Sequence, residues 1–98
     1  MHKNIRQMIE YPKQGIISKT IFKDRGKDIN LFCMTKGSEM SPHSSSREAI
    51  VYVLEGKGVF NLKNEKISML PGALIHMSKK ALHSIKVEKN TSFLLMLM

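Results

Sequence analysis

His43 and His83 are the residues of this chain best suited to chemistry. A neutral imidazole can take up a proton near neutral pH, and it is the commonest protein ligand for a metal. Each histidine lies in a stretch punctuated by glycine. The first runs Gly37, five residues, His43, one residue, Ser45, three residues, Ala49, six residues, Gly56. The second runs Gly72, ten residues, His83. If the first stretch is a regular strand, alternate residues share a face. His43, Ser45, Ala49, Val51 and Val53 then turn the same way. With His83 arriving from a second strand, the expected pocket is His43, Ser45, Ala49, Val51 and His83.

Two imidazoles suit zinc, nickel, iron or copper, but a stable site ordinarily takes three or more protein ligands. His43 and His83 are therefore an incomplete metal set. The expected cofactor is a weakly held divalent transition metal, with water in the remaining places, or none. The same residues equally suit hydrogen bonding to a small ligand or to ordered water. Glu48 is offset by one residue from Ala49, and a one-residue offset in a strand points to the opposite face. It is not counted as a ligand. Proton transfer by either histidine is chemically open. No nucleophile, base and orienting group can be assembled, so no catalytic residue is assigned and enzyme status stays open.

His76 lies between Ile75 and Met77 and by alternation faces away from both, as a surface histidine. Met34, Met40, Met69, Met77, Met96 and Met98 are expected to fill core space. The alternatives are that they line an adaptable apolar cavity, or that methionine and histidine together build a soft copper(I) site.

The elements that must position these residues are short. Strands are expected over Ile16 to Phe22, Ile29 to Thr35, Ala49 to Leu54, Val59 to Leu62, Ile67 to Leu70, Ala73 to Met77, Ala81 to Val87 and Thr91 to Met98. Turn residues such as Asp24 to Asp28, Glu55 to Gly58 and Pro71-Gly72 separate them. Lys36 to Pro42 is expected to be a loop, stopped by glycine and proline. Short strands at this spacing are the signature of a sandwich or barrel, and no segment has a sustained helical period. Phe93 to Met98 is apolar on both faces and must be buried on both.

The chain has 98 residues, of which 42% are hydrophobic, so one packed domain is expected. A lone cysteine, Cys33, rules out an internal disulfide and reads as a buried, inert thiol. Sixteen basic and eight acidic residues give a net charge of +8. Residues 1–28 and residues 29–98 each carry half of that excess. No basic block or nucleic-acid motif is present and tryptophan is absent, so the lysines are read as solvating and a nucleic-acid partner is not expected. Neither a secretory leader nor a membrane-spanning stretch can be read, so a cytoplasmic protein with no membrane partner is expected.

The two glycine-punctuated stretches resemble the motifs of the cupin superfamily. The first family motif reads Gly, five residues, His-x-His, three or four residues, Glu, six residues, Gly. The second reads Gly, five residues, Pro-x-Gly, two residues, His, three residues, Asn. Val51-Tyr52-Val53-Leu54-Glu55-Gly56 is especially similar to the family's strand and turn. In this chain Ser45 stands for the second histidine and Ala49 for the glutamate. Ser78, Lys80 and Val87 depart from the second motif. The chain is most similar to small single-domain cupins of the conserved-barrel type with a degenerate metal motif. The resemblance implies an all-β fold, a double-stranded β-helix or jelly-roll barrel over residues 29–98. An N-terminal arm and edge strand would occupy residues 1–28. It further implies a small-molecule-binding barrel, with or without a weakly held divalent metal, that forms a homodimer through its arm or an outer sheet face. A metal-dependent isomerase or oxygenase acting on a small polar substrate, and a sensory or regulatory module, are the alternatives.

Overall fold

The structure, a computed structural model, describes all residues 1–98. It contains a single 3-10 turn, Ile5–Met8, and nine strands. These are β1 (Ile16–Asp24), β2 (Lys27–Met34), β3 (Glu39–His43), β4 (Ala49–Glu55), β5 (Gly58–Leu62), β6 (Glu65–Met69), β7 (Leu74–Met77), β8 (His83–Val87) and β9 (Thr91–Leu97). All pairings are antiparallel. One sheet has the order β1-β2-β9-β4-β7 and the other the order β3-β8-β5-β6. The two sheets face each other as the expected all-β jelly roll.

Local chemistry explains the strands. β4 is built from Ala49-Ile50-Val51-Tyr52-Val53-Leu54-Glu55, whose β-branched and aromatic side chains favour a pleated, half-buried surface. Its burial alternates: Ala49, Val51 and Val53 are buried, while Tyr52 is exposed. The turn after β4 depends on Gly56. Its φ is +113°, and a Cβ there would lie 2.3 Å from Thr91 Oγ1 and 2.5 Å from Thr91 Cα. Only a residue without a side chain fits such an approach.

β9 lies at the centre of the five-stranded sheet. It pairs with β2 from Asp28↔Leu97 to Met34↔Thr91, and with β4 from Ala49↔Leu97 to Glu55↔Ser92. Phe93 packs inward, in the main core with Val51, Phe60, Met77 and Ile85, and Leu95 and Leu97 lie against that core. Leu94, on the opposite face, packs against a second cluster of Ile21, Leu31 and Cys33. Both faces of β9 are thus occupied, which accounts for its unbroken apolar sequence.

The N-terminal arm covers that second face. Ile5, Met8, Ile9 and Tyr11 lie on Leu31 and Cys33. Polar contacts hold the arm in place. The Tyr11 hydroxyl donates to Glu55 Oε2 at 2.6 Å, Lys19 Nζ donates to the Met8 carbonyl at 2.9 Å, and Thr35 Oγ1 donates to the Pro12 carbonyl at 2.5 Å. Cys33 is fully buried beneath the arm, and burial pushes its thiol pKa up.

Two expectations need correction. Lys36 to Pro42 is not wholly a loop, because Glu39–His43 forms β3. Pro42 is tolerated there because β3 is the edge of its sheet, where a missing backbone N–H leaves no ladder bond unmade. Nor does one regular strand carry His43, Ser45 and Ala49 on a shared face. β3 ends at His43, residues 44–48 bend, and β4 begins at Ala49.

Candidate functional site

His43 closes β3 and His83 opens β8, and the two are direct cross-strand partners. Their ring centroids are 4.2 Å apart with the planes at 60°, an edge-to-face arrangement. On the other side, His83 stacks on Phe60, with centroids 5.7 Å apart and planes 2° from parallel. His83 is buried and His43 is exposed.

Each imidazole is oriented by its own backbone. His43 Nδ1 donates to the Ser41 carbonyl at 2.7 Å, and His83 Nδ1 donates to the Ala81 carbonyl at 3.0 Å. A carbonyl oxygen can only accept, so the hydrogen sits on Nδ1 in both rings. In the neutral form each Nε2 then carries a free lone pair. Burial lowers the pKa of His83. The bond to Ala81 opposes that shift and the neighbouring His43 adds to it. His83 is therefore held in its neutral, electron-donating form.

Both rings line a cavity of about 100 Å³ with Phe32, Met40, Val51, Phe60, Met77, Ile85, Phe93 and Leu95. Apart from the two imidazoles its wall is apolar. Typical drug-sized ligands occupy roughly 300–1,000 Å³. This cavity is suited to a molecule of few heavy atoms, or to the tip of a larger one.

Of the residues expected to form the pocket, the structure brings His43, Val51 and His83 together on one cavity. Ala49 is buried in the core below it and Ser45 stands outside it. The Ser45 hydroxyl instead accepts the Arg47 backbone N–H at 3.1 Å, and its carbonyl accepts Lys80 N–H at 2.7 Å. Arg47 in turn donates to Asp28 Oδ2 at 2.6 Å and to the Gly26 carbonyl, pinning this bend to the β1–β2 turn. Glu48 faces away and meets exposed His76, whose Nε2 lies 2.6 Å from Glu48 Oε2.

Met40 and Met77 were two of six methionines with no means in the sequence of ranking them. The cross-strand registers Met40↔Ile85 and Ala49↔Met77 put these two on the cavity. Phe60 and Phe93, the cavity's aromatic walls, carried only the alternation of their strands as a signal. A wider open groove of about 480 Å³ runs past Lys63, Glu65, His76 and Ser78. Its one imidazole is already engaged by Glu48, so it offers no convergent chemistry.

A divalent centre of the kind the cupin motifs imply does not fit these residues. No group of three or more histidine, cysteine, aspartate or glutamate side chains converges anywhere in the chain. A neutral serine hydroxyl would be a poor substitute, and the Ser45 hydroxyl is already engaged by Arg47. No helix is long and apolar enough to cross a membrane.

The family model described as "Cupin domain" matches residues 30–98. Solved structures are similar along almost the whole chain. A conserved protein of unknown function from Streptococcus pyogenes superposes with a TM-score of 0.88 at 22% identity, covering 100% of this chain and 86% of that one. A cupin 2 conserved barrel domain protein from Leptotrichia buccalis has a TM-score of 0.89 at 24% identity, covering 98% of this chain and 47% of that one. KdgF from Halomonas sp. has a TM-score of 0.77 at 23% identity, covering 85% and 76%. At these identities the likeness is one of fold. No curated protein shows a significant sequence match.

Proposed function

The chain belongs to the cupin domain family, and from that premise we propose that it is a barrel that binds a small molecule at the paired imidazoles. One observation carries the reading. Two histidines, both with hydrogen on Nδ1 and neither Nε2 hydrogen-bonded within the chain, line an otherwise apolar cavity of about 100 Å³. The preferred ligand is therefore small and mostly apolar, with one or two donor hydrogens, as in an alcohol, amine or amide. Apolar contact supplies affinity, and the two acceptors fix orientation. A fully acceptor-only ligand would leave the imidazole lone pairs facing it unpaired, which is costly in a dry site.

The test is a ligand-observed NMR screen of small alcohols, amines and amides, repeated on His43→Phe and His83→Phe. Binding should be seen for donors and lost in both variants. A library in which no donor binds, or in which binding survives both substitutions, overturns the reading. Isomerase or oxygenase chemistry at a bound divalent metal is not favoured, because no third protein ligand of the usual kind is present.

For assembly, we infer a homodimer through the outer face of the five-stranded sheet. Tyr52 and Leu74, cross-strand partners there, are 39% and 67% exposed. Sedimentation of Leu74→Lys beside the parent chain tests this, and identical association of the two would refute it.

A further inference from the structure

The donor atoms around this cavity do not match the divalent ions that two imidazoles first suggest. They have a different common property, softness. Met40 and Met77 line the same cavity as His43 and His83, so two thioethers and two imidazoles share its wall. No carboxylate and no third histidine joins them. Thioether sulfur selects copper(I) among the biological metals, and imidazole accepts it readily. Copper(I) has a filled d shell and is content with few ligands, whereas a closed zinc site takes four.

The walls favour a monovalent ion as well. Phe32, Phe60 and Phe93 give the cavity apolar walls, which offer a divalent ion nothing to complete its coordination shell. The electrostatic cost of moving an ion into such surroundings rises with the square of its charge, so it is about four times larger for a divalent ion. The two Nδ1 anchors on the Ser41 and Ala81 carbonyls leave both Nε2 atoms free to coordinate, and hydrogen bonds of this kind orient metal-bound histidines generally.

We infer that the His43, His83, Met40 and Met77 cavity is a copper(I) site, selective for a soft monovalent cation over zinc(II), nickel(II) and iron(II). The inference rests on the cavity being open to ligands, as the proposed binding function requires.

The experiment uses the full chain with ¹³C-labelled methionine ε-methyl groups. Silver(I) nitrate serves as an air-stable probe of the same charge and softness. Copper(I) is titrated separately under anaerobic conditions against a chromogenic bicinchoninate competitor. One equivalent should bind. The ε-methyl signals of Met40 and Met77 and the ring signals of His43 and His83 should move together and furthest, while those of Met34 and Met69, which are buried in the same core but do not line the cavity, should move least. The double variant Met40→Leu, Met77→Leu keeps volume and apolarity, so it should fold. It should lose about tenfold or more in copper(I) affinity with little change toward zinc(II). The double variant His43→Ala, His83→Ala should lose the site.

Three outcomes overturn the inference: copper(I) affinity unchanged in the leucine variant, zinc(II) bound as tightly as copper(I), or silver shifts confined to Met1, Met98 and His2. Small alcohols and amines are titrated in parallel into metal-free protein. If they bind while silver and copper do not, the metal inference alone falls. If neither imidazole responds to any probe, the small-molecule reading falls with it.

Discussion

Acidification should unfold this protein earlier than a cupin barrel without a desolvated histidine, and His83 sets the size of the effect. Burial in the cavity wall lowers its pKa from the ordinary histidine value of about 6.5. The unfolded chain therefore takes up this proton before the folded one does. Stability attributable to His83 is fully present above about pH 6.5 and is lost as pH falls from there toward the folded pKa. Below the folded pKa this loss levels off. One proton sets the maximum slope, about 1.4 kcal/mol per pH unit. In a domain of this size each 1 kcal/mol moves the melting temperature by roughly 4–8 °C. The control is His83→Phe, which keeps a ring against Phe60 but cannot titrate. It gives up the bond to the Ala81 carbonyl, about 1 kcal/mol, at every pH. Urea midpoints measured from about pH 8 to about pH 5 should therefore start lower in the variant and converge on the parent's as pH falls. His43→Phe should narrow the sensitive window, since His43 is one of the causes that lower the His83 pKa. Parallel curves for parent and His83→Phe would refute the reasoning, because they would show that His83 exchanges no proton differentially on unfolding.

Gly56→Ala should cost about 3 kcal/mol or more, since its Cβ would stand 2.3 Å from Thr91 Oγ1 in a left-handed backbone conformation. Gly72→Ala, at φ +90° with nothing within 4 Å, should cost only about 1 kcal/mol, and chemical denaturation compares the two. Cys33 should resist an aromatic disulfide reagent in the folded chain. Removal of residues 1–14, which takes away Ile5, Met8, Ile9 and Tyr11, should make it react quickly; equal rates in the two proteins would show that the arm does not shield it.

What the sequence revealed and what it hid divide along a physical line. Ala49 to Leu54 was legible because β-branched residues and alternation are local signals, and β4 appears there. The all-β fold followed from many such signals and from the two glycine-punctuated motifs. β3 was hidden because Pro42 argues against a strand, and its permission to be one comes from lying at a sheet edge, a tertiary fact. Ser45 was placed on the histidine face by extending strand parity through residues 44–48, where the chain bends. His43 and His83 are expected from the sequence to meet from two different strands, and the register of β3 with β8 makes them cross-strand partners. The choice of Met40 and Met77 from six candidates required the registers of β3 with β8 and of β4 with β7. Contacts between segments so distant in sequence leave no periodic trace in either one. The arm's placement over Cys33 was equally out of reach, because residues 1–15 carry no pattern of their own.

The central position of β9 has a consequence for how the protein is made. The strand that joins β2 to β4 is the last of the nine to leave the ribosome. Until residues 91–97 have emerged, the β1–β2 hairpin and the β4–β7 pair have no ladder between them, and their apolar faces wait unpaired. Folding is then gated by a late, long-range closure, slow by nature and exposed to misassociation while it waits. A stalled or prematurely ended chain lacking those residues would lose the ladder that makes the five strands one sheet.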